Sequence, residues 1–483
     1  KHRFRTFGRD LLQGLIMKSF VVASDLGTGS CKTVVVDRRG FVMGSASCEY
    51  PTSYLQPGWC EQNPQDWLKA VDQTVPQALK EAGITPQEVA AYGLVGVTHN
   101  AVLLDEHNHP LRPCILIYDT RSQAECDDLI TRWGDKIFQR TWNSMTPVWT
   151  FPQLLWVARN EPETWRKVRK ILFQKDYVRN VIAPSPVTDL IDAEGSLLYD
   201  PIKNCWIGEF VSDLNISPSV LPQVVKPTDI VGKIGSKGAQ ITGLLQGTPV
   251  IAGTTDTAAE VFGAGALSPG QGTVKLASVG RITCVATQPA NHLNSLNYRH
   301  VLDDLWYPGT GTKTASSAFR WLRETTWENS TYEMMDEAAR AISPGCEGLL
   351  FHPHLQGEWV PFWDNGLRAN FIGLTMRHGR GHMVRAVMEG VAFAIRAGVE
   401  YTRTLGLAFD EIRLLGGGSD SKLWTQIIAD TLNRTIIIPV ERDAAFGAAL
   451  VTGMGIGFFP SDLAGINQCI RCAANCEPDP RNP

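Results

Sequence analysis

The sequence predicts an α/β protein made of two related halves around a central cleft, and three observations predict it. At 483 residues the chain exceeds what one hydrophobic core supports, so about two domains are expected. Short apolar runs alternate with stretches of helical period, the pattern of strands covered by helices. The same arrangement of apolar strand, glycine-rich turn and strand occurs over Phe20–Val36 and again over Thr273–Val285, once in each half.

Composition narrows the class. Hydrophobic residues make up 43% and charged residues 19% of the chain, with a formal net charge of -4, which argues against nucleic acid or an anionic membrane as the main partner. No uncharged apolar run reaches the length of a membrane span. The eleven cysteines are scattered, and Cys31, Cys114 and Cys284 lie in apolar or strand-like text, which points to a reducing, cytoplasmic setting rather than a disulfide framework. Cys469, Cys472 and Cys476 have CxxC-x3-C spacing but lack an evident fourth ligand, so they are not read as a metal site. Residues 1–16 carry Lys1, Arg3, Arg5 and Arg9 against Asp10 and are read as a tag or upstream segment without a role in the fold; Met17-Lys18 reads as the more natural start.

In chain order, Ser19–Ser24 is an apolar strand leading through Asp25-Leu26-Gly27-Thr28-Gly29-Ser30 into a second strand, Thr33–Val36. Such a hairpin offers backbone N–H groups and hydroxyls to a phosphate, with an acid at its base able to hold Mg²⁺ through water. A plain β-hairpin with small turn residues is the alternative. Asp66–Ala82 has helical apolar spacing and stops at Gly83. Tyr92–Val97 is a strand delivering Thr98-His99-Asn100 to its end, and Cys114–Tyr118 is a short apolar run delivering Asp119-Thr120-Arg121; polar residues at strand ends face crevices or serve structure. Thr150–Asn160 reads as a helix, and Ile171–Arg179 as a strand entering one.

Near the middle, Pro249–Ala252 is a buried strand that breaks at Gly253-Thr254-Thr255-Asp256 before a helix over Thr257–Phe262. A carboxylate at this turn can cap the helix or take a proton from a substrate, and the residues alone leave both open. Ser268–Gly272 is the clearest linker signal. Beyond it come the strand Thr273–Ala277, the turn Ser278-Val279-Gly280-Arg281, a helix over Ala315–Glu324, and a long helix over His382–Leu405 with Val384, Val387, Val391, Ile395 and Val399 on one face. Strand Ile412–Leu415 then meets Gly416, Gly417 and Gly418 before a helix opened by Ser421, a turn that lets a flat ring or phosphate approach the backbone.

Taken together, these segments resemble the FGGY family of carbohydrate kinases, and within it the xylulose kinases, over about Phe20–Pro460. DLGTGSCK at Asp25–Lys32, QKDYVR at Gln174–Arg179, FIGLTMRHGRGHMVRAVMEGVAFAI at Phe371–Ile395 and LLGGGSDSKLWTQIIAD at Leu414–Asp430 follow the family's order. The resemblance implies two actin-like ATPase domains of ribonuclease H-like type: a sugar-binding domain over 17–267, an ATP-binding domain over 268–460, and a tail over 461–483 that lacks the family's closing helix. It implies Asp256 as catalytic base, with Thr98, His99, Asp119, Arg121 and Thr257 on the sugar. ATP would be held by Gly27, Thr28, Gly29, Ser30 and Lys32, by Ser278, Gly280 and Arg281, and by Gly416, Gly417, Gly418 and Ser421. Asp25 would hold Mg²⁺.

The implied reaction moves the γ-phosphoryl group of ATP to a hydroxyl of a ketopentose, with xylulose the leading sugar and a homodimer the expected assembly. The chain departs from the xylulose kinase pattern in three places. Ser278–Arg281 replaces a Gly-Thr-Ser-Gly loop, Thr257 stands where asparagine is common, and Thr98 stands where methionine is common. These leave ribulose, another ketose or a sugar alcohol as alternative substrates, and a non-catalytic sugar or nucleotide sensor as the alternative of another class.

Overall fold

A computed structural model describes residues 18–460 and 462–482, so the expected upstream segment 1–16 lies outside the described residues. The chain forms two compact units. The first runs to Gly263 and also takes in Tyr298–Val301 and Ala444–Cys469; the second holds Ala264–Asn297, Leu302–Asp443 and the residues from Ile470 onward. The units therefore do not follow a single break at 267/268. The chain returns twice to the first unit, for reasons of packing that turn residues and composition do not encode.

In the first unit, Phe20–Leu26 (β1), Ser30–Asp37 (β2) and Val42–Glu49 (β3) form an antiparallel meander. Strand β1 also pairs in parallel with Val89–Gly96 (β4). Ile230–Lys233 (β5) and Pro249–Ile251 (β6) complete the order β5-β6-β4-β1-β2-β3, and Thr254–Thr255 (β7) continues on β4 past the end of β6. Strand β4 is buried along its whole length because helices cover both faces of the sheet. Helix Pro64–Ala82 (α1), capped by Asn63 and ended at left-handed Gly83, packs its apolar stripe over β2 and β3, so closely that a Cβ on Gly44 would lie 2.6 Å from the Ala78 carbonyl oxygen. On the opposite face, a side chain at Gly93 would collide with Thr452 of helix Ala444–Gly455.

In the second unit, Gln271–Leu276 (β8), Gly280–Cys284 (β9) and Gly309–Thr312 (β10) form another antiparallel meander. Strand β8 pairs in parallel with Glu411–Leu415 (β11), β11 in parallel with Ile436–Pro439 (β12), and Cys472–Cys476 (β13) runs antiparallel along β12. The order β10-β9-β8-β11-β12-β13 thus repeats the first unit's topology strand for strand: three antiparallel strands, two parallel ones, and an antiparallel edge. The duplicated α/β architecture read from two strand-turn-strand patterns is what the chain forms. Helix Arg380–Thr404 buries the predicted face of Val384, Val387, Val391, Ile395 and Val399.

The tail corrects the sequence reading. Leu463–Cys469 is helical and belongs to the first unit, and Cys472–Cys476 is the edge strand of the second unit's sheet. Elements this short carry too little periodicity to be legible. Cys469 is buried and Cys472 exposed, and among the described residues no three His, Cys, Asp or Glu side chains are grouped to hold a metal. Among those residues no helix is long and apolar enough to cross a membrane.

Candidate active site

Three of the residues expected on the sugar, Thr98, His99 and Thr257, gather with Asp256 at the carboxyl ends of the parallel strands of the first unit, where open α/β sheets place their ligands. Strand β4 delivers Thr98 and His99, and β6–β7 delivers Asp256 at the start of helix Asp256–Gly263. Gly253 makes this approach possible: it is left-handed, and a Cβ there would lie 1.8 Å from the Leu94 carbonyl oxygen. Thr98 Oγ1 lies 3.4 Å from Asp256 Oδ1, joining the two strand ends.

Asp256 stands out by exposure: from Ile251 to Leu267 every other residue is buried, and Asp256 is half-buried. The same Oδ1 accepts from Thr257 N–H at 2.6 Å and from the Thr257 hydroxyl at 3.1 Å, while Thr255 Oγ1 accepts from Ala258 N–H at 3.3 Å. Of the two roles that the sequence leaves open, the turn displays the cap. One carboxylate oxygen engages the helix start, and Thr255 takes part of the capping.

His99 has φ 50, a left-handed conformation that costs a residue with a side chain. Its surroundings impose it. Asp192 Oδ1 accepts the His99 N–H at 2.7 Å, the Thr150 hydroxyl donates to the His99 carbonyl at 2.5 Å, and the ring stacks on Trp149 with centroids 4.9 Å apart. Gly195 leaves room for the ring, since a Cβ there would meet His99 Cδ2 at 2.8 Å.

Beneath these strand ends is a fully buried charge cluster. Lys175 Nζ touches Asp192 at 2.6 Å, Asp189 at 2.7 Å and Asp176 at 2.9 Å, and Arg179 pairs with Asp176 at 2.7 Å. Burial alone would depress the Lys175 amine, but the three carboxylates outweigh it and hold the amine above its usual value. Burial pushes Asp192 up to about 7 against the opposing pull of Lys175.

Asp119 and Arg121, expected on the sugar, are built into a brace. Arg121 pairs with Asp119 at 2.7 Å and with Glu61 at 2.6 Å, and its guanidinium lies 3.7 Å above the Trp59 ring. Asp119 also accepts the Cys60 N–H. Both side chains are buried, and among the described residues neither hydrogen-bonds to Thr98 or Asp256. The pair fastens the Gly58–Gln62 segment to the end of the Cys114–Ile115 strand.

The first hairpin loop, Gly27-Thr28-Gly29, has its carbonyls tied down. Tyr50 donates its hydroxyl to the Gly27 carbonyl and its N–H to that of Gly29, and Gln62 Nε2 donates to that of Thr28 at 2.6 Å. Thr28 and Gly29 are exposed, Gly27, Ser30 and Asp25 are half-buried, and Asp25 sits opposite Lys32 in the β1–β2 register. An acceptor-poor loop above a carboxylate suits a phosphate with a hard cation.

In the second unit, Ser278 lies in the β8–β9 loop, its carbonyl accepting from Ala315 N–H and from the Ser317 hydroxyl at the start of helix Ser316–Thr326. Gly280 begins β9 against Thr312, and Arg281 sits across from Lys275. The triple glycine divides by role. Gly416 is left-handed with a Cβ position 2.7 Å from the Leu276 carbonyl oxygen, and a Cβ on Gly418 would strike the Leu276 side chain at 2.4 Å. Gly417 faces open space. Two of the three glycines therefore serve packing on β8. Ser421, expected on the adenosine, accepts the Trp424 N–H as the helix cap. Arg442, three residues past β12, bonds to Ser419 and Asp420, a contact for which the sequence carries no signal.

Comparison with known proteins agrees with this layout. Residues 20–263 match the FGGY family of carbohydrate kinases, N-terminal domain, and residues 272–456 match the C-terminal domain. A xylulose kinase of Bacillus subtilis (strain 168) is 32% identical over 466 residues, covering 96% of this chain and 93% of that protein. A gluconokinase of the same organism is 26% identical, covering 91% and 88%. The crystal structure of xylulose kinase from Rhodospirillum rubrum superposes with a TM-score of 0.88 at 26% identity, covering 96% of this chain and 95% of the other. Family matches to both halves, and relatives aligned along nearly the whole chain, meet the duplicated sheet topology and the carboxylate at the β7 end: the chain belongs to the FGGY family of carbohydrate kinases.

Proposed function

We propose that this kinase phosphorylates a ketopentose, with xylulose as the first candidate, and that Asp256 is its general base. The observation that carries the base role is the accessibility of Asp256 at a strand end whose neighbours are all buried, beside the Thr98 hydroxyl. The sugar identity rests on the xylulose kinases among the relatives. In the reaction the sugar O–H bond breaks toward the Asp256 carboxylate as the oxygen bonds to the γ-phosphorus of ATP, and the bond to the bridging β-oxygen breaks to release ADP. Positioning and charge stabilisation carry most of the acceleration in such a transfer.

Thr98, His99 and Thr257 form the sugar side in this reading. Thr28, Gly29, Ser30 and Lys32 of the first hairpin, Ser278, Gly280 and Arg281 of the second, and Gly417 with Arg442 form the nucleotide side; Gly416, Gly418 and Ser421 shape the turn that presents them. Asp25 fits Mg²⁺, being a half-buried carboxylate under a loop that would carry the phosphates, and a single protein oxygen completed by phosphates and water is how Mg²⁺ is usually held. Bound there, the ion would neutralise charge on the phosphates. Asp119 and Arg121 act as a brace. Eleven free thiols fit a cytoplasmic setting. A homodimer belongs to the same proposal and is checked by sedimentation.

The test is ADP release measured over xylulose, ribulose, other ketoses, polyols and gluconate, with Asp256→Ala as control. We expect highest kcat/KM on xylulose and a loss of about 10³-fold in the variant. Best turnover on gluconate would favour a second reading, a gluconate kinase, which the gluconokinase relative supports. If no substrate is turned over faster than by the control, the kinase assignment of this site fails.

A further inference from the structure

We propose that Lys175, through Asp192 and Asp189, is a positioning residue that fixes both strand ends of the sugar site while touching no substrate. The inference rests on the reading of Asp256 and His99 as site residues. Its geometry is a fork. From Lys175 Nζ one arm passes to Asp192 Oδ2 at 2.6 Å, and Asp192 Oδ1 holds the His99 N–H at 2.7 Å. The other arm passes to Asp189 Oδ2 at 2.7 Å, and Asp189 Oδ1 accepts from the Thr254 hydroxyl at 3.1 Å, two residues before Asp256.

Each carboxylate has one oxygen on the lysine and one on a site strand. A third link, from Arg179 to the Ala252 carbonyl, ties the same cluster to the end of β6. All five charged side chains are essentially inaccessible, so every link is unscreened by water.

The cluster is not explained as a stabilising ion pair. Two cations face three carboxylates, leaving one formal negative charge in the interior, and replacing buried ion pairs with apolar groups is often neutral or stabilising. What the arrangement does supply is direction. His99 adopts a left-handed backbone that its side chain disfavours, and the Asp192 acceptor supports its N–H there. Without the lysine, the two carboxylates would repel each other, and the His99 and Thr254 strands would lose their common anchor.

The decisive variant is Lys175→Met with Asp192→Ala in the full chain. It removes one cation and one anion, so the formal charge of the cluster is unchanged while the fork and the His99 acceptor are gone. We expect a folded enzyme whose kcat on the sugar falls about 100-fold, as for a misplacement of about 1 Å, with the KM for ATP unchanged. Hydrogen exchange read by mass spectrometry should accelerate about tenfold or more in 97–101 and 252–257, with the second unit unaffected. If the double variant fails to fold, Asp192→Asn, which is isosteric but has one oxygen for two partners, gives the same two readouts at smaller amplitude.

A folded variant with wild-type kcat, or unchanged exchange in those two segments, overturns the proposal. If the wild-type chain turns over no sugar, the function assigned above fails, and the exchange measurement alone then decides whether the fork positions the two segments.

Discussion

The two hairpins that open the two sheets share one topology and carry opposite chemistry. In β1–β2 the residue pair below the loop is Asp25 and Lys32; in β8–β9 the equivalent pair is Lys275 and Arg281. The first loop is Gly27-Thr28-Gly29, with carbonyls held by Tyr50 and Gln62; the second is Ala277-Ser278-Val279, held through the Ser278 carbonyl by the start of a helix. Duplication therefore supplied a frame, and the register pair beneath each loop sets what the loop can hold. The first pair includes a carboxylate, the residue type that holds a hard cation, and the second consists of two cations.

The largest effect should come from inverting the first hairpin's chemistry. Asp25→Asn keeps the shape and removes the charge, and kcat should fall about 10²- to 10³-fold, the scale of losing one preorganised electrostatic group. The Mg²⁺ concentration needed for half-maximal rate should rise in the same titration. A rate and Mg²⁺ dependence equal to wild type would erase the difference drawn between the hairpins.

The second hairpin should respond in binding instead of turnover. Arg281→Ala removes a donor able to make charge-assisted bonds to phosphate, worth about 1.5–3 kcal/mol, so KM for ATP should rise by about tenfold or more while kcat changes little. Steady-state kinetics with ATP varied at saturating sugar reads this directly. A fall in kcat with KM unchanged would instead place Arg281 with the transition state.

The comparison also marks what was legible in the sequence. Asp25, Thr98 and Asp256 are legible as candidates because each lies at or just past the end of an apolar strand, where open α/β sheets place their ligands. Lys175 and Asp192 are not. QKDYVR is legible as the start of a helix, but the text of QKDYVR and LIDAEG carries no sign that tertiary packing buries their charges together. The Tyr298–Val301 return to the first unit has no punctuation at all. Asp119-Thr120-Arg121 was expected at the end of an apolar run to Tyr118, but the strand stops at Ile115, and the side chains turn toward each other and Glu61, a pairing that spacing cannot reveal. The triple glycine was legible as a turn, while its division into two packing positions and one open one depends on Leu276, more than a hundred residues earlier in the chain.

That division gives a smaller and cleaner test within the second unit. Gly416→Ala forces a left-handed alanine against the Leu276 carbonyl and should destabilise the unit by about 1–3 kcal/mol. Gly417→Ala should leave the melting temperature unchanged, because its Cβ meets open space, and any effect should appear in the KM for ATP. Equal stability losses at both positions would return the whole turn to packing.

The smallest expected effect concerns pH and separates the units again, since the buried acid lies in the first. Glu194 pairs with Arg299 at 3.1 Å, yet burial pushes its carboxyl from 4.5 up to about 8, with Arg299 opposing. Because the folded value lies above the unfolded one, the favourable contribution is complete below about pH 4.5 and is lost as pH rises through about 8: unfolding releases the proton that the folded state retains. Glu194→Gln keeps an acceptor for Arg299 and cannot titrate. Between pH 5 and 8 the wild type should therefore lose more stability than the variant. Exchange protection in the first unit, followed across that range in both proteins, should converge as pH falls, while the second unit behaves identically in the two. Parallel pH curves for wild type and variant would mean that Arg299 holds the carboxylate ionised, and that the Tyr298–Val301 return is fastened by an ordinary ion pair.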